Sequence, residues 1–551
     1  MAKKRRLIFF IVFFVCLFIQ VTPVIRSGLK GVSGISFWGP NGHDGIWHLA
    51  LINHISNPLS IKMPIFSGEV LKNYHPFFDI LIAFLSRSTY IGPSFWLFQL
   101  FPLLSASLFI YLSFRFGQIL TKSFSGGILL MILNCANNSF GWLITLFRFG
   151  NFNGESLFWA MQAPSNQLNP PFALSILLLS LHIYILVKNT DKLNRTNQLI
   201  IFLILVLLPI IKIYSALPAF FIFLIYCLKN RRYFLNFFIS LFIAFLLFVQ
   251  YNPLSSSLLV FKPFWFTNSL IESPDRFFLP QIANMRYSLE ATGLLGPRLF
   301  LIYLFSIIAF LIGNLAWRIL SFIDWVKNKN WLNFSLFVSA LILILVPTLF
   351  IQSGTSWNTI QFIYYALFLL NLPLCHFLIA SKQKILTTII IVSLFFPLLG
   401  SLPSFLGSPA PAYIPDDELI ALKFLSKQTP GIVLTYPYDK YEKFKFTKTP
   451  IPLYAYETTS YVSAYSKQIT YLEDEMNLAN SGFDWLARRL NSLDFFKQLN
   501  IFKDRGFLVN NQIDYIYLVG GQKENFNQNQ PDLSLKKIFE NQQSSIYRVQ
   551  R

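Results

Sequence analysis

Between positions 93 and 406 the chain repeats one pattern, an apolar stretch about as long as a bilayer is thick, then a short connection, then another such stretch. A membrane-spanning helix takes about 20 apolar residues, fewer where helices are broken. Counting an opening segment at 7–25, candidates run at 93–118, 124–149, 171–188, 198–211, 214–228, 233–250, 295–318, 331–352, 359–380 and 385–406. These eleven segments predict an all-α polytopic membrane bundle over residues 1–406. Composition agrees: 54% of residues are hydrophobic and only 13% charged, too apolar for a soluble protein.

The formal charge of +20 does not point to nucleic acid, because the basic residues fall in short clusters between apolar segments. Such clusters orient membrane helices, with Lys and Arg held on the cytoplasmic side. Lys3, Lys4, Arg5 and Arg6 therefore fix a cytoplasmic N-terminus, and the long 7–25 segment, with no small-residue cleavage pattern before Pro23, reads as an uncleaved anchor. The segments on either side of Lys212 are short, yet basic clusters at Lys188/Lys192/Arg195 and at Lys229/Arg231/Arg232 make them an inside–inside hairpin. Lys122, Lys327/Lys329 and Lys382/Lys384 fall in short inner loops. The loops 26–92, 149–170 and 251–294 and the tail 407–551 are thereby expected outside, in a plasma-membrane topology. Cys16, Cys135, Cys227 and Cys375 all lie in apolar segments, so neither a disulfide framework nor a zinc site is legible.

After Phe405, the run Gly407-Ser408-Pro409-Ala410-Pro411 has linker chemistry and opens a mixed polar region. A helix is expected from Pro415-Asp416-Asp417-Glu418, followed by a strand at 432–436 and a helix over 483–499 that carries Arg488 and Arg489. A buried strand follows at 513–519, then a loop at 525–530, a helix at 533–539 and a strand at 545–549. This alternation predicts a soluble α/β domain over 407–551.

Five polar groups stand out in the outer loops. In Gly42-His43-Asp44-Gly45-Ile46-Trp47-His48 an acid begins a short amphipathic helix, 46–55, which suits the membrane interface, and His48 lies one turn after Asp44. An Asp at that place also caps a helix well. The same loop holds Glu69, then Tyr74-His75-Pro76 and Asp79. With Asp44 and His48 these residues suit a hard cation or a substrate phosphate, and Asp44 and Glu69 are the candidate ligands for Mg or Mn. His75 before Pro76 also fits an extended turn residue, and Asp79 a cap or a surface charge. The group from Arg148 through Asn151, Asn153 and Glu155 to Asn169 mixes amides with Phe158 and Trp159, a lining suited to carbohydrate. Finally Lys212, Arg276 and Arg286 are cations able to meet a lipid-linked phosphate, and Trp357 and Asn358 lie in a polar outer turn.

An N-terminal anchor, Asp44 on a short helix in the first outward loop, many spans and an outward C-terminal region together resemble the GT-C superfamily of membrane glycosyltransferases. The runs His43-Asp44-Gly45-Ile46-Trp47-His48, Tyr74-His75-Pro76 and Trp357-Asn358-Thr359-Ile360-Gln361-Phe362 also resemble bacterial membrane proteins labelled as related to 6-pyruvoyl-tetrahydropterin synthase, a label that implies no pterin chemistry here. The GT-C resemblance implies transfer of a sugar from a polyprenyl-phosphate-linked donor to a glycan, lipid or protein acceptor outside the cytoplasm. Asp44 would be the base, His48 would orient it or bind the phosphate, and Lys212 with an outer-loop arginine would stabilise the departing phosphate. GT-C enzymes often pair two acids in this loop, whereas here Gly45 follows Asp44. The alternatives are a transporter or flippase for a lipid-linked saccharide and a non-catalytic envelope protein whose tail binds polysaccharide.

Overall fold

The structure, a computed structural model, describes residues 2–253, 259–293, 296–498, 501–526 and 533–550. It divides into two compact units, one of residues 1–23, 102–249 and 257–406, the other of residues 24–101, 250–256 and 407–551. The second therefore takes in the first long loop as well as the C-terminal region.

In the first unit all the expected apolar segments are helical. Among the described residues seven helices are long and apolar enough to cross a membrane: Pro93–Thr121, Pro170–Lys188, Arg231–Tyr251, Pro297–Lys327, Trp331–Leu349, Ser356–Ala380 and Lys384–Leu406. The 124–149 segment is a pair, Phe124–Ala136 and Gly141–Phe149, bent by 56°; counted as one span it makes eight. The N-terminal helix Ala2–Val21 and the shorter Arg195–Ile211 and Ile213–Lys229 complete the set. Local chemistry starts several of these helices. The side chains of Ser123, Asn169, Asn194 and Asn330 each accept a backbone N–H three residues on, satisfying a donor that a helix N-terminus leaves unpaired.

Burial separates central from peripheral helices. The most apolar window of Ser356–Ala380 is 83% buried, whereas that of Arg231–Tyr251 is 22% buried and turns Leu235, Phe238, Phe242 and Phe245 outward. An apolar face of this kind is stable against lipid and costly in water.

The bend at Asn137-Asn138-Ser139 frees backbone groups that need partners in an apolar medium. Arg318 supplies one. Its fully buried guanidinium donates to the Asn137 carbonyl (3.3 Å), to Asn371 Oδ1 (3.1 Å) and to Gln162 Oε1 (3.0 Å). Asn371 also accepts from Asn137 Nδ2 at 2.8 Å and donates to the Leu133 carbonyl and Asn134 Oδ1. The span expected at 295–318 is an α-helix as far as Leu315, and Arg318 lies in the 3-10 turn Ala316–Leu320 that joins it to Ser321–Lys327.

The second unit holds two sheets. In the first, Gly34–Phe37 pairs antiparallel with Ala412–Pro415, which pairs parallel with Ile451–Pro452. The second has the order Ile469–Thr470, Ile432–Thr435, Ile513–Val519, Ser544–Val549, Leu535–Glu540; its first two pairings are parallel and its last two antiparallel. The helix Asp416–Leu425 and the strands at 432, 513 and 544 fall where the sequence places them, and the 483–499 helix is found as Leu486–Lys497. The segment 533–539 is corrected from helix to strand. Leu535, Ile538 and Phe539 suit either period, and a turn at Asn541, whose Oδ1 accepts from Gln543 N and Ser544 N, folds Leu535–Glu540 back as a hairpin. The 525–530 loop lies, from 527 on, outside the described residues.

The short helix after His43, Asp44–His54, is also corrected. It is not amphipathic and interfacial: Gly45 to Ile52 are all buried, and the helix packs on Tyr461–Ser466 and Phe77–Thr89. Trp47 is 3% exposed and meets the Tyr74 ring edge-on at 5.6 Å.

Candidate active site

Asp44 is the first residue of its helix, after the turn Gly39–Gly42, and its side chain is 49% exposed. Gly45 is required here, since a Cβ at that position would lie 2.5 Å from the Phe98 ring. A second acid beside Asp44 therefore has no room. It arrives instead from the C-terminal region. His43 Nδ1 meets Asp44 Oδ1 at 2.8 Å, and His43 Nε2 meets Asp474 Oδ1 at 3.0 Å.

Asp474 is held independently. It sits in the left-handed region (φ 50°) and caps Glu475–Asn480, accepting from Asn477 N at 3.2 Å and from Asn477 Nδ2 at 2.8 Å. Its side chain is fully buried and that of His43 nearly so. Burial alone would lower the His43 pKa, but the Asp474 charge, the hydrogen bonds to both carboxylates and the Asp44 charge outweigh it and hold the value well above 6.5. At neutral pH, His43 is thus an imidazolium donating both N–H groups, with one carboxylate exposed and the other buried.

Asp474 also lines a cleft with a cavity volume of about 40 Å³ with Tyr438, Tyr454, Glu457, Tyr461 and Glu475. Burial raises the Glu457 carboxyl above its ordinary value, with His43 opposing. Arg489 pairs with Glu475 and donates to the Tyr438 carbonyl at 2.7 Å, fixing one wall.

His48 is engaged elsewhere. Its Nδ1 meets Asp79 Oδ1 at 2.7 Å, and the Tyr74 hydroxyl donates to Asp79 Oδ2 at 3.3 Å. Asp79 is fully buried in the first turn of Phe77–Thr89, which corrects the surface-charge reading. The histidine that orients Asp44 is accordingly His43. Burial, with Asp79 and more weakly Asp44 adding, raises the Tyr74 phenol well above 10, so it stays a neutral donor between the two pairs. His75 stacks on Tyr74 with ring centroids 4.9 Å apart.

Glu69 is exposed on the turn after Phe66, where its charge acts on Arg488. Among the described residues no group of three or more His, Cys, Asp or Glu is arranged to hold a metal ion.

In the first unit, the 149–170 loop is tied to the segment around Arg276. That guanidinium lies 3.9 Å over the Trp159 ring and donates to the Ser156 carbonyl at 2.9 Å. Asn151 Oδ1 accepts from Asn153 N, and the Asn153 carbonyl accepts from Thr145 Oγ1 at 2.8 Å, so both residues organise the loop. Glu155 Oε1 accepts from Gln162 N at 3.1 Å, and burial pushes its carboxyl up to about 7.

Lys212 forms the one-residue joint between Arg195–Ile211 and Ile213–Lys229, is 5% exposed, and lies 5.6 Å from the Tyr214 ring centroid. Asn358 Nδ2 reaches the Tyr214 hydroxyl at 3.4 Å, so the structure brings Lys212 and Asn358 together around one tyrosine. Trp357 beside it is 43% exposed. Arg286 pairs with both Glu272 and Glu290, and Arg276 pairs with Asp275.

Sequence reasoning missed His43, Asp474 and Arg318. His43 stood inside the quoted motif, but its partner lies 431 residues away, and no local spacing reveals that.

No family model and no curated protein matches the chain. Solved structures similar to it include the oligosaccharyltransferase of Archaeoglobus fulgidus in complex with Zn and sulfate (12% identity, 92% of this chain and 68% of that one, TM-score 0.48). A second is the archaeal oligosaccharyltransferase AglB from Archaeoglobus fulgidus with an inhibitory peptide and a dolichol-phosphate (11% identity, 94% and 70%, TM-score 0.48). A third is ArnT from Cupriavidus metallidurans in the apo state (13% identity, 99% and 98%, TM-score 0.41). At these distances the chemistry of this chain rests on its own residues.

Proposed function

We propose that the protein is a GT-C-type membrane glycosyltransferase that moves a sugar, a hexose in the simplest case, from a polyprenyl-phosphate-linked donor to an acceptor hydroxyl outside the cytoplasm. The observation that carries this reading is the chain Asp44–His43–Asp474, an exposed carboxylate held in place by a buried imidazolium and a second acid. The acceptor oxygen attacks the anomeric carbon and the bond from that carbon to the phosphate oxygen breaks. Asp44 takes the hydroxyl proton while the phosphate leaves with the bonding electrons. Pairing with His43 makes Asp44 a weaker base than a free carboxylate but fixes its direction, and orientation is the larger gain in a site of this kind. Asp474 is a positioning residue, since it acts on Asp44 only through His43.

Lys212 and Arg276 are the cations assigned to the phosphate. Arg276 keeps its charge against the face of Trp159, and Lys212 is buried beside hydroxyl and amide groups, both settings in which an anion repays desolvation. His75, Asn151, Asn153, Glu155, Trp357 and Asn358 are assigned to substrate contact.

The test separates this reading from a flippase. Purified protein in liposomes is given a set of undecaprenyl-phosphate and undecaprenyl-diphosphate sugars with an extract of envelope glycans. Release of the free lipid phosphate, lost with Asp44→Asn, supports transfer. Movement of intact donor between leaflets without release supports transport instead.

A further inference from the structure

The cleft that reaches Asp474 adjoins a wider groove with a cavity volume of about 130 Å³. The two share Tyr436, Tyr454 and Gln522 as walls. One side of the groove is aromatic: the rings of Tyr436 and Phe496 lie 5.0 Å apart, and Phe526 lies 6.2 Å from Phe496. Facing polar groups are Asp439, Gln522 and the Glu442–Lys445 pair. Aromatic residues continue onto the rim, where Tyr441 is 63% and Phe444 79% exposed. Exposed rings of this size are costly in water unless something covers them. A surface that alternates ring faces with carboxylate and amide acceptors matches a saccharide, whose C–H faces stack on rings while its hydroxyls donate at the edges. A purely apolar ligand would leave the carboxylates unpaired, and a polyanion would meet Asp439, Glu442 and Glu457.

We propose that this groove binds an oligosaccharide, its hydroxyl-bearing end in the narrow part beside Asp474. Calling that saccharide the acceptor rests on the transferase reading; its binding does not.

The test uses the full chain in nanodiscs on an array of structurally diverse oligosaccharides, with the tightest binder then titrated against variants. Tyr436→Ala and Phe496→Ala are expected to weaken binding about ten-fold each, equivalent to about 1.4 kcal/mol, with unchanged thermal midpoints. Tyr436→Phe, which keeps the ring, should bind as the parent does. Gln522→Ala serves as a second probe should Phe496→Ala fail to fold. Absence of binding to every saccharide on the array, or equal binding by Tyr436→Ala and the parent, overturns the proposal. Saccharide binding that depends on Tyr436, in a protein that releases no lipid phosphate, keeps the groove and removes the transferase reading.

Discussion

At the scale of single residues, the site turns on a histidine whose two nitrogens are both committed. His43 has a folded-state pKa above its unfolded value, so the stability it contributes is fully present below about pH 6.5 and is lost as pH rises through the raised value. Thermal midpoints measured across that alkaline range should fall for the parent protein. They should fall less for His43→Gln, which also starts lower, because Asp474 is left buried with one fewer donor. The neighbouring acid was legible in the sequence, since an Asp opening a helix in an outer loop is a local signal. What held it was not, because Asp474 is joined to His43 only by the tertiary fold. Gly45 shows the same limit: its place after Asp44 reads as a missing acid in sequence and as clearance for Phe98 in the structure.

At the scale of elements, the buried His48–Asp79 pair joins Asp44–His54 to Phe77–Thr89. Removing one member leaves an uncompensated buried partner, so His48→Ala should destabilise the protein by about 3 kcal/mol or more. The double variant His48→Ala/Asp79→Asn should recover part of that loss, which a thermal-midpoint cycle over the four proteins reads directly. Helices of the first unit were legible because twenty apolar residues in succession have few other fates. The helix Asp44–His54 was misread for a related reason. A short run with modest polarity can lie on a membrane or be buried among soluble elements, and only its packing on Tyr461–Ser466 decides. The 535–540 strand was lost to helical periodicity in the same way, until its hairpin partner was seen.

At the scale of the whole molecule, the chain joins a helical unit whose lipid-compatible faces are broad to a second unit with two sheets, drawn from both ends of the sequence. Loop 26–92 and tail 407–551 both fall in the second unit. Within the helical unit the bent pair depends on Arg318. Arg318→Leu should strand the side-chain oxygen of Gln162, at about 1–3 kcal/mol, while Asn371 Oδ1 keeps Asn137 Nδ2 and the Asn137 carbonyl keeps Ala163 N, and lower the yield of monodisperse protein. Arg318→Lys should restore little, because a single ammonium lacks the planar fork that reaches three acceptors. The central claim, that Asp44 is the base of a glycosyl transfer, is tested most directly by single-turnover release of lipid phosphate from purified protein in nanodiscs. Asp44→Asn, folded with the parent's thermal midpoint, should slow release about a hundred-fold or more; release at the parent's rate would contradict the claim.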